Sequence, residues 1–183
     1  AFIRLPHDFL TERLTGNGIT DRGDASGTGW WSSRKNKYVQ EVLNHSLVGL
    51  KPSMLPQVLQ PNEIAGKIIS DAAAWTGLRI GIPVACGTGD NAAAALGLAV
   101  KPGIPVISLG TSGTAYMLSL KAPADVSGQV FAHASASGEH LPLTCTLNAT
   151  LAVDNISQML SLDRTAVADQ TRVVVMPYLS GER

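Results

Sequence analysis

Asp90 is the residue whose type and setting could do chemistry. It stands in Gly87-Thr88-Gly89-Asp90-Asn91, a glycine-rich loop that follows the apolar run Ile80-Gly81-Ile82-Pro83-Val84-Ala85-Cys86. Behind it, 92–100 reads as a helix of small residues. A helix N-terminus favours the anion of a carboxylate. An ionised carboxylate within reach of a substrate hydroxyl can take its proton as that oxygen attacks phosphorus. The plain alternative is that Asp90 only caps the helix. Asn91 could hydrogen-bond a polyol, or cap in the same way. A second loop, Ser108-Leu109-Gly110-Thr111-Ser112-Gly113-Thr114, follows Ile104-Pro105-Val106-Ile107. Its backbone N–H groups and two hydroxyls suit phosphate oxygens. A plain β-hairpin turn is the alternative. It is not the phosphate loop that ends in Gly-Lys-Ser/Thr, because no lysine follows. A loop that holds phosphate beside one that presents a carboxylate is what phosphoryl transfer to a hydroxyl needs.

Other chemistry-bearing residues form no comparable pattern. Asp21 and Asp24 lie three apart in a Gly/Ser-rich stretch. They lack the further ligands of a calcium loop, so loop capping is expected and no metal site is assigned. His7, His45, His133 and His140 have no partner spacing and read as solvated or core histidines. No Gly-x-Ser-x-Gly nucleophile elbow is present. Cys86 and Cys145 have no CxxC or Cys/His metal spacing and read as buried free thiols in a reducing cytosol.

Composition narrows the class. The 183 residues carry 14 basic and 14 acidic side chains, for a formal net charge of zero, which argues against a dedicated nucleic-acid binder. Arg34-Lys35-Asn36-Lys37 reads as a solvated segment. No apolar run approaches the roughly 18 residues of a membrane span. Hydrophobic residues make up 45% of the chain, enough to bury a core. The chain starts at Ala1-Phe2-Ile3 without a methionine and stops directly after a turn at Gly181-Glu182-Arg183, so a piece of a longer protein is expected.

The elements that must position these loops follow from periodicity. Leu5, Phe9, Leu10 and Leu14 have helical spacing over 5–14, with Pro6 tolerable in the first turn and Gly16 and Gly18 ending it. Residues 20–28 read as a polar loop, and one of Trp30 and Trp31 is expected to anchor it. Helices are expected over 38–47 and over 62–75, the latter with Asn62 as N-cap and Gly77 near its end. The stretch 50–61, with three prolines, reads as irregular. Strand 105–109 and the β-rich 114–120 can pair as a hairpin across Gly110–Gly113. Further strands are expected over 130–134, 141–147 and 172–176, and a helix over 148–160. Val100-Lys101-Pro102-Gly103 is the best domain boundary. The class is α/β or α+β.

Five segments, in order, resemble the FGGY carbohydrate kinases. They are Leu5-Pro6-His7-Asp8-Phe9-Leu10 with Leu14-Thr15-Gly16; Asp21 and Asp24-Ala25-Ser26-Gly27-Thr28 with Trp31; Gly87-Thr88-Gly89-Asp90-Asn91-Ala92-Ala93; Ser108-Leu109-Gly110-Thr111-Ser112-Gly113; and Pro177-Tyr178-Leu179-Ser180-Gly181-Glu182-Arg183. The Asp90-Asn91 pair and the closing Tyr-Leu-x-Gly-Glu-Arg favour the branch that acts on xylulose over the glycerol branch.

The resemblance implies an α/β, actin-like and ribonuclease H-like two-domain ATPase fold. Residues 1–100 would end the first, sugar-binding domain and 101–183 would begin the second, nucleotide-binding domain. It implies ATP-dependent phosphorylation of a ketopentose, D-xylulose to D-xylulose 5-phosphate. Asp90 would be the general base and a sugar contact, Asn91 would help hold the sugar, and Gly110, Thr111, Ser112 and Gly113 would meet ATP phosphates bridged by Mg2+. Ribulose, gluconate or a glycerol-type polyol remain alternative substrates, and a non-catalytic sugar-binding regulator is an alternative on the same fold. The implied partners are sugar and ATP, with neither nucleic acid nor membrane and with room for a homodimer, in the cytoplasm. The family's N-terminal Asp-x-Gly-Thr phosphate loop, the sugar-binding segment that would precede Ala1 and the C-terminal adenine-binding Gly-rich segment are absent, so the 183 residues alone are expected to be inactive.

Overall fold

The computed structural model describes residues 1–163, 171–176, 178, 181 and 182. Helix α1 (Pro6–Thr15) starts where expected: Pro6 lies in the first turn and Asp8 Oδ2 accepts the Leu5 N–H at 3.0 Å. It ends at Gly16, whose φ of 78° is the left-handed conformation that glycine adopts freely, with its N–H on the Glu12 carbonyl at 2.7 Å. The face it buries is not the apolar one. Asp8, Thr11 and Thr15 are buried, whereas Phe9 and Leu10 are exposed.

Residues 20–28 are not a loop. Strand β1 (Ile19–Asp21) leads directly into helix α2 (Arg22–Gly27), capped by the Asp21 carboxylate on the N–H groups of Gly23 and Asp24. The cap and turn residues are real, but here they start a buried helix. Hairpin β2 (Trp31–Ser32) and β3 (Lys37–Tyr38) follows, and then helix α3, which covers only Gln40–Leu43 of the expected 38–47. Trp31 is the tryptophan that anchors, buried with Ala25 and Ala134, while Trp30 is half-buried.

The proline-rich stretch holds a 3-10 turn (Pro52–Met54) and strand β4 (Gln57–Leu59), which pairs parallel with β1, Ile19 facing Gln57. The expected helix over 62–75 is two elements. Strand β5 (Ile64–Lys67) pairs antiparallel with β6 (Pro83–Ala85), and helix α4 (Ser70–Thr76) begins after Ile69, not Asn62, and ends at Gly77. Gly66 explains the break: a Cβ there would lie 2.7 Å from Thr15 Cβ, so β5 crosses the end of α1 at a distance only glycine permits.

Helix α5 (Asp90–Gly97) follows β6. Beyond the turn at 100–103 a four-stranded antiparallel sheet forms, in the order β7 (Pro105–Leu109), β8 (Gly113–Met117), β10 (His140–Thr146), β9 (Phe131–Ala134). The β7–β8 hairpin has the expected turn, with Leu109 opposite Gly113. Helix α6 (Thr150–Met159) matches its expected place. The described residues 171–176 form neither helix nor strand, so the strand over 172–176 is absent there; Pro177, Leu179, Ser180 and Arg183 of the closing motif lie outside the described residues.

Among the described residues, three small cores hold these elements. Ile19, Leu59, Ala65 and Cys86 join the β1/β4 and β5/β6 pairs. Ala25, Trp31 and Ala134 join α2 to β9. Ala92, Ala95, Tyr116, Leu141 and Leu143 seat α5 on the four-stranded sheet. The alanines of α5 let it approach closely, which brings its N-terminus to the β7–β8 turn. Neither cysteine is in a disulfide; Cys86 is buried and Cys145 half-buried.

Candidate active site

Gly87 turns the chain with φ 81°, and Gly89 then takes the N-cap position of α5. Its carbonyl accepts the Ala93 N–H at 2.9 Å, so Asp90 is the first helical residue and not the cap. The Asp90 side chain is exposed. Its Oδ1 accepts the backbone N–H of Asn91 at 2.7 Å and the Asn91 Nδ2 at 3.1 Å. Oδ2 accepts no hydrogen bond among the described residues. One oxygen is thus tethered by Asn91 and the other is open to a ligand.

The β7–β8 turn forms the opposite wall. Gly110 N–H donates to the Ser112 carbonyl at 3.0 Å. Behind the turn, Thr150 donates to the Gly110 carbonyl through N–H at 3.0 Å and Oγ1 at 2.7 Å, and the Ala149 N–H reaches the Thr111 carbonyl at 3.3 Å. The carbonyls are therefore engaged on the α6 side, while Thr111 and Ser112 stand exposed. Gly113 is buried, and a Cβ on it would lie 3.0 Å from Thr146 Cγ2. Its role in the structure is close packing of β8 against the end of β10.

One cleft of about 600 Å³ lies between these walls, lined by Asp90, Asn91, Gly110, Thr111, Ser112 and Thr146. That volume lies in the range of small-molecule sites. Gly113 is the one predicted site residue off the wall. Phe131 and His133, on neighbouring same-face positions of β9, also line it. Their rings meet edge to face, centroids 6.1 Å apart. Burial pushes the His133 imidazole below its ordinary pKa, leaving it neutral. Sequence reasoning treats His133 as a solvated or core residue; the period-two pairing with Phe131 was the available signal.

Behind the Asp90 loop lies a cluster that the histidine spacing does not reveal. His7 Nε2 is 3.0 Å from Asp21 Oδ2 and 2.8 Å from Asp24 Oδ2, and its Nδ1 is 3.3 Å from Asp8 Oδ1. Asp8 and Asp21 are buried. The bonds to Asp21 and then Asp24 outweigh desolvation and raise the His7 pKa to about 10, so the imidazole is a cation. Burial pushes the Asp8 carboxyl up. Nε2 and the Asp21 and Asp24 carboxylates lie within 4.8 Å of one another, a spacing a metal ion could bridge. The protonated imidazole already supplies their counter-charge, and the expected capping role of Asp21 holds.

The sequence model of the FGGY family of carbohydrate kinases, N-terminal domain, matches residues 1–97. The xylulose kinase of Streptomyces rubiginosus is 56% identical over 181 residues, covering 99% of this chain and 37% of that protein. The chain therefore spans little more than a third of the length of this relative. Among solved structures, a xyloylose kinase from Brucella ovis superposes with a TM-score of 0.87 at 31% identity, over 100% of this chain and 39% of that one. The xylulose kinase from Bifidobacterium adolescentis gives 0.75 at 34%, over 90% and 37%. The architecture is accordingly part of the actin-like ATPase fold of these enzymes. A family match over more than half of the residues, joined to these likenesses in sequence and structure, means that the chain belongs to the FGGY family of carbohydrate kinases.

Proposed function

We propose that the full-length protein carrying these residues transfers the γ-phosphoryl group of ATP to a hydroxyl of a ketopentose, D-xylulose first, giving D-xylulose 5-phosphate and ADP. The observation that carries this reading is the cleft that joins the open Asp90 carboxylate to the Gly110–Ser112 turn. The relatives at 56% and 34% identity are named xylulose kinases, which favours that sugar over other polyols. Residues 1–100 belong in this reading to the sugar-side domain and 101–183 to the nucleotide side, supported by the sheet that begins only after the turn at 100–103.

Asp90 Oδ2 accepts the hydroxyl proton as the sugar oxygen forms its bond to phosphorus. The bond between that phosphorus and the bridging oxygen breaks, and ADP leaves with the electron pair. Asn91 holds the other Asp90 oxygen, fixing which lone pairs face the sugar. Thr111, Ser112 and the turn's N–H groups would meet phosphate oxygens, and Gly113 keeps the turn seated. The donor set fits Mg2+ arriving on the nucleotide, since among the described residues the cleft offers one carboxylate, from Asp90, and the hydroxyls of Ser108, Thr111, Ser112, Thr114 and Thr146, not a cage of acids. When bound, the ion would neutralise phosphate charge. Two cysteines outside any disulfide accord with a cytoplasmic setting.

A coupled ATP-consumption assay of the full-length protein across ketoses and polyols tests the reading, with the highest kcat/KM expected for xylulose. Asp90→Asn should lower kcat by about 100-fold or more while sugar and nucleotide binding persist, in line with the size of general-base effects. Turnover within about tenfold of the unmodified protein would remove Asp90 from the base role.

A further inference from the structure

We propose that His7, which does not line the cleft, is a positioning residue for the Asp90 loop, acting through the carboxylates of Asp21 and Asp24. The inference rests on the kinase reading above. The loop that carries Asp90 contains two glycines in three residues, so its own backbone does little to hold it. What it rests against are two carboxylates. Thr88 Oγ1 donates to Asp21 Oδ1 at 3.3 Å. A Cβ on Gly89 would lie 2.5 Å from Asp24 Oδ1, so that oxygen lies directly against the residue before Asp90. Asp24 and Asp90 also line one small cavity of about 60 Å³.

Each of these carboxylates divides its oxygens in the same way. Oδ1 faces the loop, and Oδ2 faces His7 Nε2. With Asp8 behind, three carboxylates converge on one imidazole. Without a cation they would repel one another, and Asp24, which is only half-buried, would swing toward solvent. His7 thereby sets the orientation of the surface on which the Asp90 loop sits. The raised pKa of His7 keeps that cation in place through the neutral range. A lysine at this position would supply the same charge, whereas glutamine would not.

The test uses the full-length protein. His7→Gln should lower kcat by about 10- to 100-fold, the scale of a misplacement near 1 Å, with KM for ATP changed less than about threefold. His7→Lys should recover kcat to within about threefold of the unmodified protein. Amide exchange over 87–91 should quicken in His7→Gln and return in His7→Lys. In the Asp90→Asn background, His7→Gln should cost nothing further, because its effect passes through Asp90. If His7→Gln does not fold, Asp24→Asn, which removes one contact from a half-buried site, carries the same expectations. Unchanged kcat and loop exchange in folded His7→Gln overturns the proposal. So does a loss that lysine fails to rescue, or one that adds in full to Asp90→Asn. Should Asp90→Asn retain turnover, the base reading fails on that result alone, and the exchange measurement still decides the loop contact.

Discussion

Charge at His7 ties a local ion cluster to the stability of the whole chain. The folded state holds the His7 proton more tightly than the unfolded chain, whose histidines titrate near 6.5. A group with a raised folded pKa contributes stability in full below its unfolded pKa and loses it as pH rises through the folded value. The window here runs from about 6.5 to about 10. Urea midpoints should therefore fall as pH rises across that window, and the fall should be shallower in His7→Gln. The groups facing the imidazole are Asp8 on its own helix and Asp21 and Asp24 at the start of α2. Its partial exposure screens the effect, so the change in slope is the measurement that checks it. An equal pH slope in both proteins would show that the cluster contributes no net linkage.

At the scale of elements, the crossing of β5 over the end of α1 decides how the first half is built. Gly66 has Thr15 Cβ and Asn17 Nδ2 where its own Cβ would stand, each at 2.7 Å. Gly66→Val should force these elements apart and destabilise the protein by about 1–3 kcal/mol, read as a drop in the urea midpoint at constant slope. The same crossing explains a difference from sequence expectation. Residues 62–75 contain apolar positions at helical spacing, yet 64–67 form a strand. Pairing with β6 and contact with α1 are non-local, and they outweigh the local pattern. Residues 20–28 differ for another reason. Asp21, Ser26 and Thr28 are cap and turn formers wherever they occur, and only the packing of their segment against β9, where Ser26 Oγ accepts the Ala134 N–H, shows that they build a helix. The β7–β8 hairpin and α1, α5 and α6 were legible because their signals are local: a glycine turn between β-branched runs, and cap or stop residues beside periodic segments.

For the molecule as a whole, the packing of α5 on the four-stranded sheet places the two glycine loops across one cleft. Leu141 is 1% exposed and lies in that contact with Ala92, Ala95 and Tyr116. Leu141→Ala should cost about 2–5 kcal/mol, measured by urea denaturation, since the cavity left by a buried leucine is only partly filled by relaxation. The large apolar side chains Ile107 and Leu109 on β7 remain exposed, in a chain that spans little more than a third of its relatives.

The sequence by itself determined the family, the glycine loops, and Asp90, Asn91 and Gly110–Gly113 as candidates, because each depends on residue type and short spacing. It also determined that the acid loop precedes the phosphate-type loop with a helix between them. Only the tertiary structure decided that Asp90 follows the cap with an oxygen open to the cleft, that Gly113 lies against Thr146 off the cleft wall, and that Phe131 and His133 reach the same cleft. It alone brought His7 to Asp21, 14 residues away, and Asp21 to Thr88, 67 residues away. A histidine's neighbours across such separations are set by how α1, α2 and the β6–α5 loop converge, and nothing in the local spacing of charged residues encodes that convergence.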